Sequence, residues 1–108
     1  MMKTNRDEMF WGKVFGVKRE IVLAICDNDI LDKEIKTKKI NVKVSKKFYG
    51  DKVIEDEATA LRMMERCSIA NLIGKRIVAL AKKHGFITEE NIISIGGIPH
   101  AQFVKLEV

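Results

Sequence analysis

The fold class follows from residues 55–85, which read EDEATALRMMERCSIANLIGKRIVALAKKHG. Acidic residues at the start of this stretch suit the positive end of a helix dipole, and apolar residues spaced by three or four continue to Cys67. Ser68 offers a second helix N-cap, before a longer run with the same apolar spacing. A basic last turn and then Gly85 are typical of a helix C-terminus. The stretch therefore predicts two consecutive helices, the second beginning after Ser68.

Strand patterns flank this helix pair on both sides. Residues 10–15, 20–26 and 40–44 read as strands, the last alternating apolar and polar side chains with period two. After the helices, residues 91–95 and 101–108 show the strand pattern again. The order β-β-β-α-α-β-β predicts an α+β fold, in which a mainly antiparallel sheet of about five strands carries the central helix pair on one face.

The chain has 108 residues, which suffices for one domain with one hydrophobic core. We expect a flexible N-terminal extension over residues 1–8 and a single α+β domain over residues 9–108. The composition, 46% hydrophobic and 32% charged, is typical of a folded protein and excludes a disordered chain. No apolar run approaches the roughly 18 residues of a membrane span, and the polar N-terminus lacks the apolar core of a signal peptide. We therefore expect a cytoplasmic protein without a membrane partner.

Two cysteines, Cys26 and Cys67, lie far apart in the sequence, and neither has a second Cys or a His at metal-ligand spacing. Cys26 ends an apolar strand pattern and Cys67 ends a predicted helix. Free thiols in such places pack as small hydrophobic groups. We therefore expect two reduced, packed thiols, no metal site and no cofactor.

The net charge of +5 comes from one segment. Residues 33–52 contain eight lysines and two acidic residues, a net charge of +6, whereas the rest of the chain carries 12 basic and 13 acidic residues, a net charge of −1. A localised basic patch attracts polyanions, although the segment contains no arginine, the residue that favours bidentate reading of bases. The alternative is a solvated face, because lysines also protect exposed strand edges from pairing.

The same segment contains an aromatic pair, Phe48 and Tyr49, directly after two lysines. These rings can stack on bases or ribose, or they can anchor the segment to the core. The residues predicted to contact nucleic acid are Lys36, Lys38, Lys39, Lys43, Lys46, Lys47 and Tyr49.

A second candidate site lies within residues 93–103, ISIGGIPHAQF, where two apolar strand patterns flank a Gly-Gly pair. Two glycines satisfy a tight hairpin turn, so the polar residues that follow exceed what the backbone requires. His100 can act as a general base or contact a phosphate, or it can be a partly exposed strand residue. The candidate residues here are Gly96, Gly97, Pro99, His100 and Gln102.

A third candidate site lies within residues 68–76, SIANLIGKR. Gly74 inside a helix costs about 1 kcal/mol relative to alanine, which implies close packing or the close approach of a ligand. A helix N-terminus capped by Ser68 can bind phosphate. Alternatively, Gly74 lets a strand pack tightly while the basic residues after it are solvated. The candidate residues are Asn71, Gly74, Lys75 and Arg76.

Three segments together resemble a known family: FYG at residues 48–50, SIANLIG at residues 68–74 and IGGIPHAQ at residues 95–102. The chain is similar, over roughly residues 13–106, to the small archaeal proteins grouped as domain of unknown function 424, of which PHAQ is the most distinctive element. This resemblance implies an archaeal cytoplasmic protein with no assigned activity, cofactor or catalytic residue, loosely associated with the translation machinery.

These observations leave three functions open, ranked here in order. The first is a small RNA-binding or ribonucleoprotein-associated module of translation, which uses the lysine-rich segment and the GGIPHAQ loop. The second is a protein-interaction adaptor, including a homodimer formed through an exposed strand edge. The third is a small enzyme whose pocket gathers Tyr49, Asn71, His100 and Gln102.

Overall fold

The computed structural model describes residues 9–106, so the expected N-terminal extension over residues 1–8 lies outside the described residues. Within them the elements follow in the order ββββαβαβαββ. The strands are β1 Phe10–Val17, β2 Glu20–Asp27, β3 Glu34–Lys36, β4 Asn41–Lys43, β5 Lys52–Ile54, β6 Ile69–Ile73, β7 Ile92–Ile95 and β8 Ile98–Val104, and the helices are α1 Lys46–Tyr49, α2 Glu57–Arg66 and α3 Lys75–Lys83.

Six of the strands form one mixed sheet, in the spatial order β5-β1-β2-β6-β8-β7. The pair β2–β6 is parallel, and the other neighbours in this sheet are antiparallel. Strands β3 and β4 pair separately as a two-stranded antiparallel sheet. The predicted α+β class and mainly antiparallel sheet are therefore confirmed, with six strands in the main sheet where about five were expected.

Each face of the main sheet is packed against its own layer: the two longer helices lie together on one face, as predicted, and a second layer that was not predicted covers part of the other face. On the first face, α2 and α3 pack on a cluster that includes Leu23, Ile25 and Leu72. On the second face, β3, β4 and α1 pack on a smaller cluster that includes Ala24 and Cys26. Strand β2 has side chains of both clusters, because alternate residues of a strand point to opposite faces. This explains its nearly continuous apolar sequence.

The predicted helix after Ser68 is wrong over its first turns, because residues 69–73 form β6 and helix α3 begins only at Lys75. Ser68 is not a helix cap: its hydroxyl accepts the backbone N–H of Ile21 at 2.8 Å and donates to the carbonyl of the same residue at 3.1 Å. A five-residue apolar run fits a helix or a buried strand equally well. Here the parallel pairing with β2 decides for the strand.

Three short elements were not predicted. Residues 46–49, which include the aromatic pair, form helix α1. The Ser45 hydroxyl caps this helix because it accepts the backbone N–H groups of Lys47 and Phe48. Strands β3 and β5 have three residues each, too few for a periodic pattern to show. Near the end of the described residues, β8 begins at Ile98, so residues 98–102 of the predicted GGIPHAQ loop belong to a strand and only the glycine pair forms a turn.

Candidate functional site

The lysine-rich segment forms one surface, which we call the basic layer and define as residues 34–49, with β3, β4, α1 and the turns between them. It packs on the second face of the main sheet through Ile35, Val44 and Tyr49, all of which are buried. Its lysines point away from this contact, and Lys36, Lys38, Lys39, Lys43, Lys46 and Lys47 are all exposed. The structure therefore brings the six predicted phosphate-contacting lysines onto one layer.

The aromatic pair of the basic layer packs inward. Tyr49 is only 7% exposed, and burial raises the pKa of its phenol to about 12. Phe48 stacks on Phe15 of β1, with 5.3 Å between the ring centroids. The pair thus anchors the layer to the sheet, and Tyr49, which was predicted to contact nucleic acid, has no exposed ring face of any size on which a base can stack.

Asn71, His100 and Gln102 meet on the second face of the main sheet, although they lie far apart in the sequence. In the β6–β8 register Asn71 is opposite Gln102, and Ile73 is opposite His100. The side-chain oxygen Oδ1 of Asn71 lies 2.8 Å from His100 Nε2 and accepts a hydrogen bond from Gln102 Nε2 at 3.3 Å. Asn71 and His100 are half-buried and Gln102 is exposed. We call these three side chains the polar floor.

The surroundings of His100 favour a neutral ring. Partial burial lowers the pKa of its imidazole below the ordinary value of 6.5. Because the Asn71 oxygen can only accept, His100 carries its proton on Nε2 and leaves Nδ1 as an acceptor. Within residues 9–106 the hydrogen-bond partner of the imidazole is thus an amide, whereas a general base is usually oriented by a carboxylate. Tyr49 is not part of this cluster, so the enzyme pocket expected from the sequence is only partly assembled.

The turn between β6 and α3 is filled by the chain itself. Asp27, at the end of β2, is only 4% exposed. Its carboxylate accepts the backbone N–H of Arg76 at 2.9 Å through Oδ2 and that of Ile77 at 2.9 Å through Oδ1. These are the free N–H groups at the start of α3, where a phosphate would bind. The expected phosphate position therefore holds an intramolecular carboxylate.

Gly74 is required beside this carboxylate. Its φ of +123° lies in a region that L side chains rarely adopt, and an added Cβ would lie 2.4 Å from Asp27 Cγ. Burial raises the pKa of Asp27, against the opposing effect of the two backbone N–H groups and of the nearby Arg76 guanidinium. The close approach that Gly74 implied is thus made by a side chain of β2.

The two cations after Gly74 differ in their surroundings. The Arg76 guanidinium donates to the carbonyl of Met9 at 3.2 Å and to the Asn28 side chain, and it lies over the Phe10 ring at 5.2 Å. Lys75 is exposed at the first position of α3. Arg76 therefore joins the start of α3 to the first strands, and Lys75 is directed to solvent.

The glycine pair forms the two-residue turn between β7 and β8. Gly96 and Gly97 have φ values of +55° and +85°, as a tight hairpin of this kind requires. An added Cβ on Gly96 would lie 2.5 Å from a methyl group of Ile35 and 2.8 Å from the Lys36 carbonyl, whereas Gly97 has open space. Gly96 thus allows the turn to pack on β3. Pro99 lies beyond the last β6–β8 pair, and its carbonyl accepts the Gly74 N–H at 2.9 Å.

Sequence reasoning missed two residues of these sites. Asp27 was not among the predicted site residues, although a carboxylate at the end of an apolar strand pattern can cap a neighbouring helix. Lys13 of β1 lies outside the lysine-rich segment, yet its Nζ donates to the Lys47 carbonyl at 3.1 Å. The registers place Lys13, Ala24, Asn71 and Gln102 in one row across the sheet. Lys13 is therefore the cation of β1 that shares a row with the polar floor.

The model of a protein family described as a protein of unknown function (DUF424) matches residues 15–106. This chain belongs to the DUF424 family. The predicted resemblance is thereby confirmed. The DUF424 chain is also similar to the crystal structure of an uncharacterized conserved protein from Methanopyrus kandleri, with 26% identity, a TM-score of 0.78 and coverage of 93% of this chain and 96% of the other. No curated protein matches this DUF424 protein.

Both cysteines of the DUF424 protein are free and buried, and burial raises the pKa of Cys26 to about 12. Over residues 9–106, no three His, Cys, Asp or Glu side chains are gathered where they could hold a metal ion. Over the same residues, none of the helices has the length and apolar character needed to cross a membrane.

Proposed function

We propose that this DUF424 protein binds RNA through the basic layer, as a cytoplasmic module associated with the translation machinery or another ribonucleoprotein. One observation carries the proposal: the segment that holds all the excess positive charge folds into one exposed layer on one face of the sheet. Clustered lysines raise the local concentration of a polyanion, whereas lysines scattered over the surface chiefly keep a protein soluble.

The geometry of the basic layer favours contact with phosphates over the reading of base pairs. Lys38 and Lys39 lie at the tip between β3 and β4, and Lys46 and Lys47 lie in α1. Lys43 forms an ion pair with Asp32 at 3.3 Å, but both side chains are well exposed, so this pair is weak and can be exchanged for a phosphate. Ammonium groups bind phosphate as point charges without bidentate geometry. We therefore infer that this layer supplies affinity for the RNA backbone.

The salt dependence of binding tests this proposal. We would titrate labelled single-stranded RNA with the protein, by fluorescence anisotropy, at about 50 and 200 mM salt. Each phosphate contact on a single strand contributes about −0.7 to the slope of log affinity against log salt, so six lysine contacts give a slope of about −4. Replacing Lys38, Lys39 and Lys46 by glutamine removes three of these contacts and is expected to bring the slope to about −2.

A matched control removes the same charge from the opposite side of the molecule. Arg62, Arg66 and Lys83 are exposed on α2 and α3, and replacing all three by glutamine also changes the net charge by three. We expect the control variant to keep a slope within about one contact of the parent protein. Equal slopes in the two variants, or no salt-dependent binding by the parent protein, would overturn the proposal.

A homodimer is a second candidate, favoured by the edge of the main sheet. Strand β7 is an edge strand, contains no charged residue, and has Ile93 57% exposed. Beside it a groove of about 530 Å³ is lined by β3–β4 residues that include Lys38, Lys39 and Ile40, together with Ser94 and Ile95. Such an edge is a template for strand addition. In an antiparallel pair of β7 strands, the start of one strand, which follows Glu90, lies beside the end of its partner. Lys38 and Lys39 line the groove at that second end, so opposite charges meet.

Charge exchange tests this dimer directly. Reversing Glu90 to lysine in one variant, and both Lys38 and Lys39 to glutamate in another, brings like charges together at both ends of each homodimer. Mixing the two variants restores opposite charges at both ends. We expect light scattering to show a dimer for the parent protein, monomers for each variant alone and a dimer for the mixture. A monomeric parent protein at high concentration excludes this candidate.

A further inference from the structure

The polar floor lies on the part of the sheet that the basic layer leaves open. Helix α1 packs on β1 and β2. The β3–β4 pair packs near the β7–β8 turn, where Ile35 and Val42 join the same cluster as Ile95 and Ile98. Between these two contacts the second face of β6 and β8 is partly accessible, because Gln102 is exposed and Asn71 and His100 are half-buried, whereas Ile73 is buried. The basic layer therefore borders the polar floor on two sides.

The hydrogen bonds within the polar floor fix the orientation of its remaining polar atoms. Asn71 uses its oxygen to accept from both neighbours, which leaves the two N–H groups of its amide directed outward. Gln102 uses one N–H, which leaves its oxygen and the second N–H, and His100 leaves Nδ1 as an acceptor. None of these remaining donors and acceptors has a protein partner among residues 9–106. The floor thus presents donors and acceptors side by side, as the edge of a nucleobase does.

We propose that the polar floor binds the base of an unpaired RNA nucleotide whose neighbouring phosphates lie on the basic layer. This inference rests on the proposed RNA binding, and it adds a site of base recognition to a surface that otherwise recognises only backbone charge. Side-chain amides pair with the donor–acceptor edges of bases, and unpaired bases are the usual targets of sequence-specific RNA recognition. An open strand face admits such a base, whereas the grooves of a duplex hide most of its edges.

The spacing across the sheet suits one nucleotide. Lys13, in the same row as the polar floor, is two strands from Asn71. Neighbouring strands lie about 4.8 Å apart, so the two backbones are separated by about 10 Å. The Lys13 ammonium group lies beside the carbonyl of Lys47, within the basic layer. Ala24 lies between Lys13 and Asn71 in this row and is buried where α1 packs on the sheet. A phosphate at Lys13 therefore lies at the border of the basic layer, and its base has to extend about 10 Å along the sheet to meet Asn71 and Gln102.

The backbone pairing of β6 and β8 does not require these polar side chains. The two strands pair over five residue positions, and their first-face side chains, which include Leu72 and Phe103, are packed in the larger core. On the second face the floor has apolar neighbours in the same rows or strands, Ile69 and Ile73 among them. Apolar cross-strand pairs would stabilise this face equally well. Three linked polar side chains among apolar ones are typical of a binding surface, where a few polar groups fix the orientation of the bound ligand.

Base dependence of RNA affinity tests the inference. We would compare four homopolymeric RNA oligonucleotides of equal length with a ribose-phosphate oligomer of the same length that lacks bases. We expect the parent protein to bind at least one homopolymer more tightly than the baseless oligomer, by between about five- and 150-fold, the range of a good base contact. Substitutions Asn71→Leu and Gln102→Met should abolish this preference while leaving the salt slope and the affinity for the baseless oligomer unchanged.

The control is Asn41→Leu, which removes an exposed amide from β4 within the basic layer and should preserve base preference. Because Gln102 is exposed, Gln102→Met decides the outcome even where Asn71→Leu fails to fold. Equal affinity of the parent protein for all five oligomers, or unchanged preference in Gln102→Met, overturns the inference but leaves the salt slope as evidence for RNA binding. Absence of salt-dependent binding to every oligomer overturns the proposed function as well.

Discussion

Replacing Asp27 by alanine should destabilise the protein by removing the cap of α3. The substitution leaves the backbone N–H groups of Arg76 and Ile77 without their acceptor, each now bonded at 2.9 Å. An unsatisfied buried donor costs about 1–3 kcal/mol. Two donors would cost about 2–6 kcal/mol, and the lower half of this range applies because burial of the carboxylate, which raises its pKa, offsets part of the gain. We expect a loss of about 3 kcal/mol in the free energy of unfolding.

Urea unfolding followed by the fluorescence of Trp11 measures this loss, since Trp11 is the only tryptophan and packs on the second cluster. In a domain of this size, a loss of about 3 kcal/mol lowers Tm by about 12–24 °C. Asp56→Ala is the matched control, because Asp56 caps α2 through the Thr59 N–H at 2.7 Å on an exposed helix end that water can solvate. A loss no larger for Asp27→Ala than for Asp56→Ala would refute the argument.

The same site yields a test of coupling. Gly74→Ala introduces strain at a φ of +123° and a contact of 2.4 Å with the Asp27 carboxylate. In the Asp27→Ala background the contact disappears and only the backbone strain remains. The double variant should therefore lose less stability than the two single variants together, by about 1 kcal/mol or more. Losses that add within about 0.5 kcal/mol would show that Gly74 is required for its backbone conformation alone.

Three further predictions concern titration, the hairpin turn and the thiols. Burial lowers the pKa of His100, so NMR should show its imidazole titrating with a midpoint below 6.5. The unfolded chain then binds the proton first, so the free energy of unfolding should fall as the pH drops from 6.5 through the folded-state pKa. A midpoint at or above 6.5 contradicts this prediction. Urea unfolding should show that Gly96→Ala lowers the free energy of unfolding by about 2 kcal/mol or more and Gly97→Ala by about 1 kcal/mol. The first loss is larger because only a Cβ on Gly96 would meet β3, and equal losses would contradict that packing. Cys26 and Cys67 should react with a thiol reagent only after unfolding, since burial raises the pKa of both thiols; rapid reaction of the native protein contradicts this.

The sequence predicts the parts of this fold in which local pattern and tertiary position agree. Strand β2 is apolar and β-branched, and it is an inner strand of the main sheet with both faces buried over residues 23–27. Residues 69–73 show the limit of this reasoning, because their apolar spacing fits a helix and only the neighbouring strand β2 makes them a strand. The cost of placing Gly74 within a helix was the one local sign of the boundary between β6 and α3.

This boundary also decides what could be foreseen of the site. A helix over residues 69–73 would turn Asn71 away from any strand, whereas in β6 it lies opposite Gln102. Convergence of Asn71 with His100 therefore depends on a register between segments distant in sequence, which no local pattern contains. The basic layer could be foreseen as a charge cluster, but the inward packing of Tyr49 depends on α1 docking on β1 and β2.

The distribution of cations bears on the choice between a polyanion surface and a merely solvated face. On the helix side two cations have intramolecular partners: Lys82 pairs with Glu89, and Lys105 donates to the last carbonyls of α2. The main sheet has two edge strands, of which β5 begins with an exposed lysine and β7 contains none. Lys36 and Lys43 also lie on edge strands, because β3 and β4 form a sheet of two strands only. The lysine-rich segment as a whole forms a layer that borders the polar floor. Edge protection accounts for Lys36, Lys43 and Lys52, but not for the four lysines that lie between β3 and β4 or in α1, namely Lys38, Lys39, Lys46 and Lys47. The binding of a polyanion explains why these lysines are concentrated on the same layer.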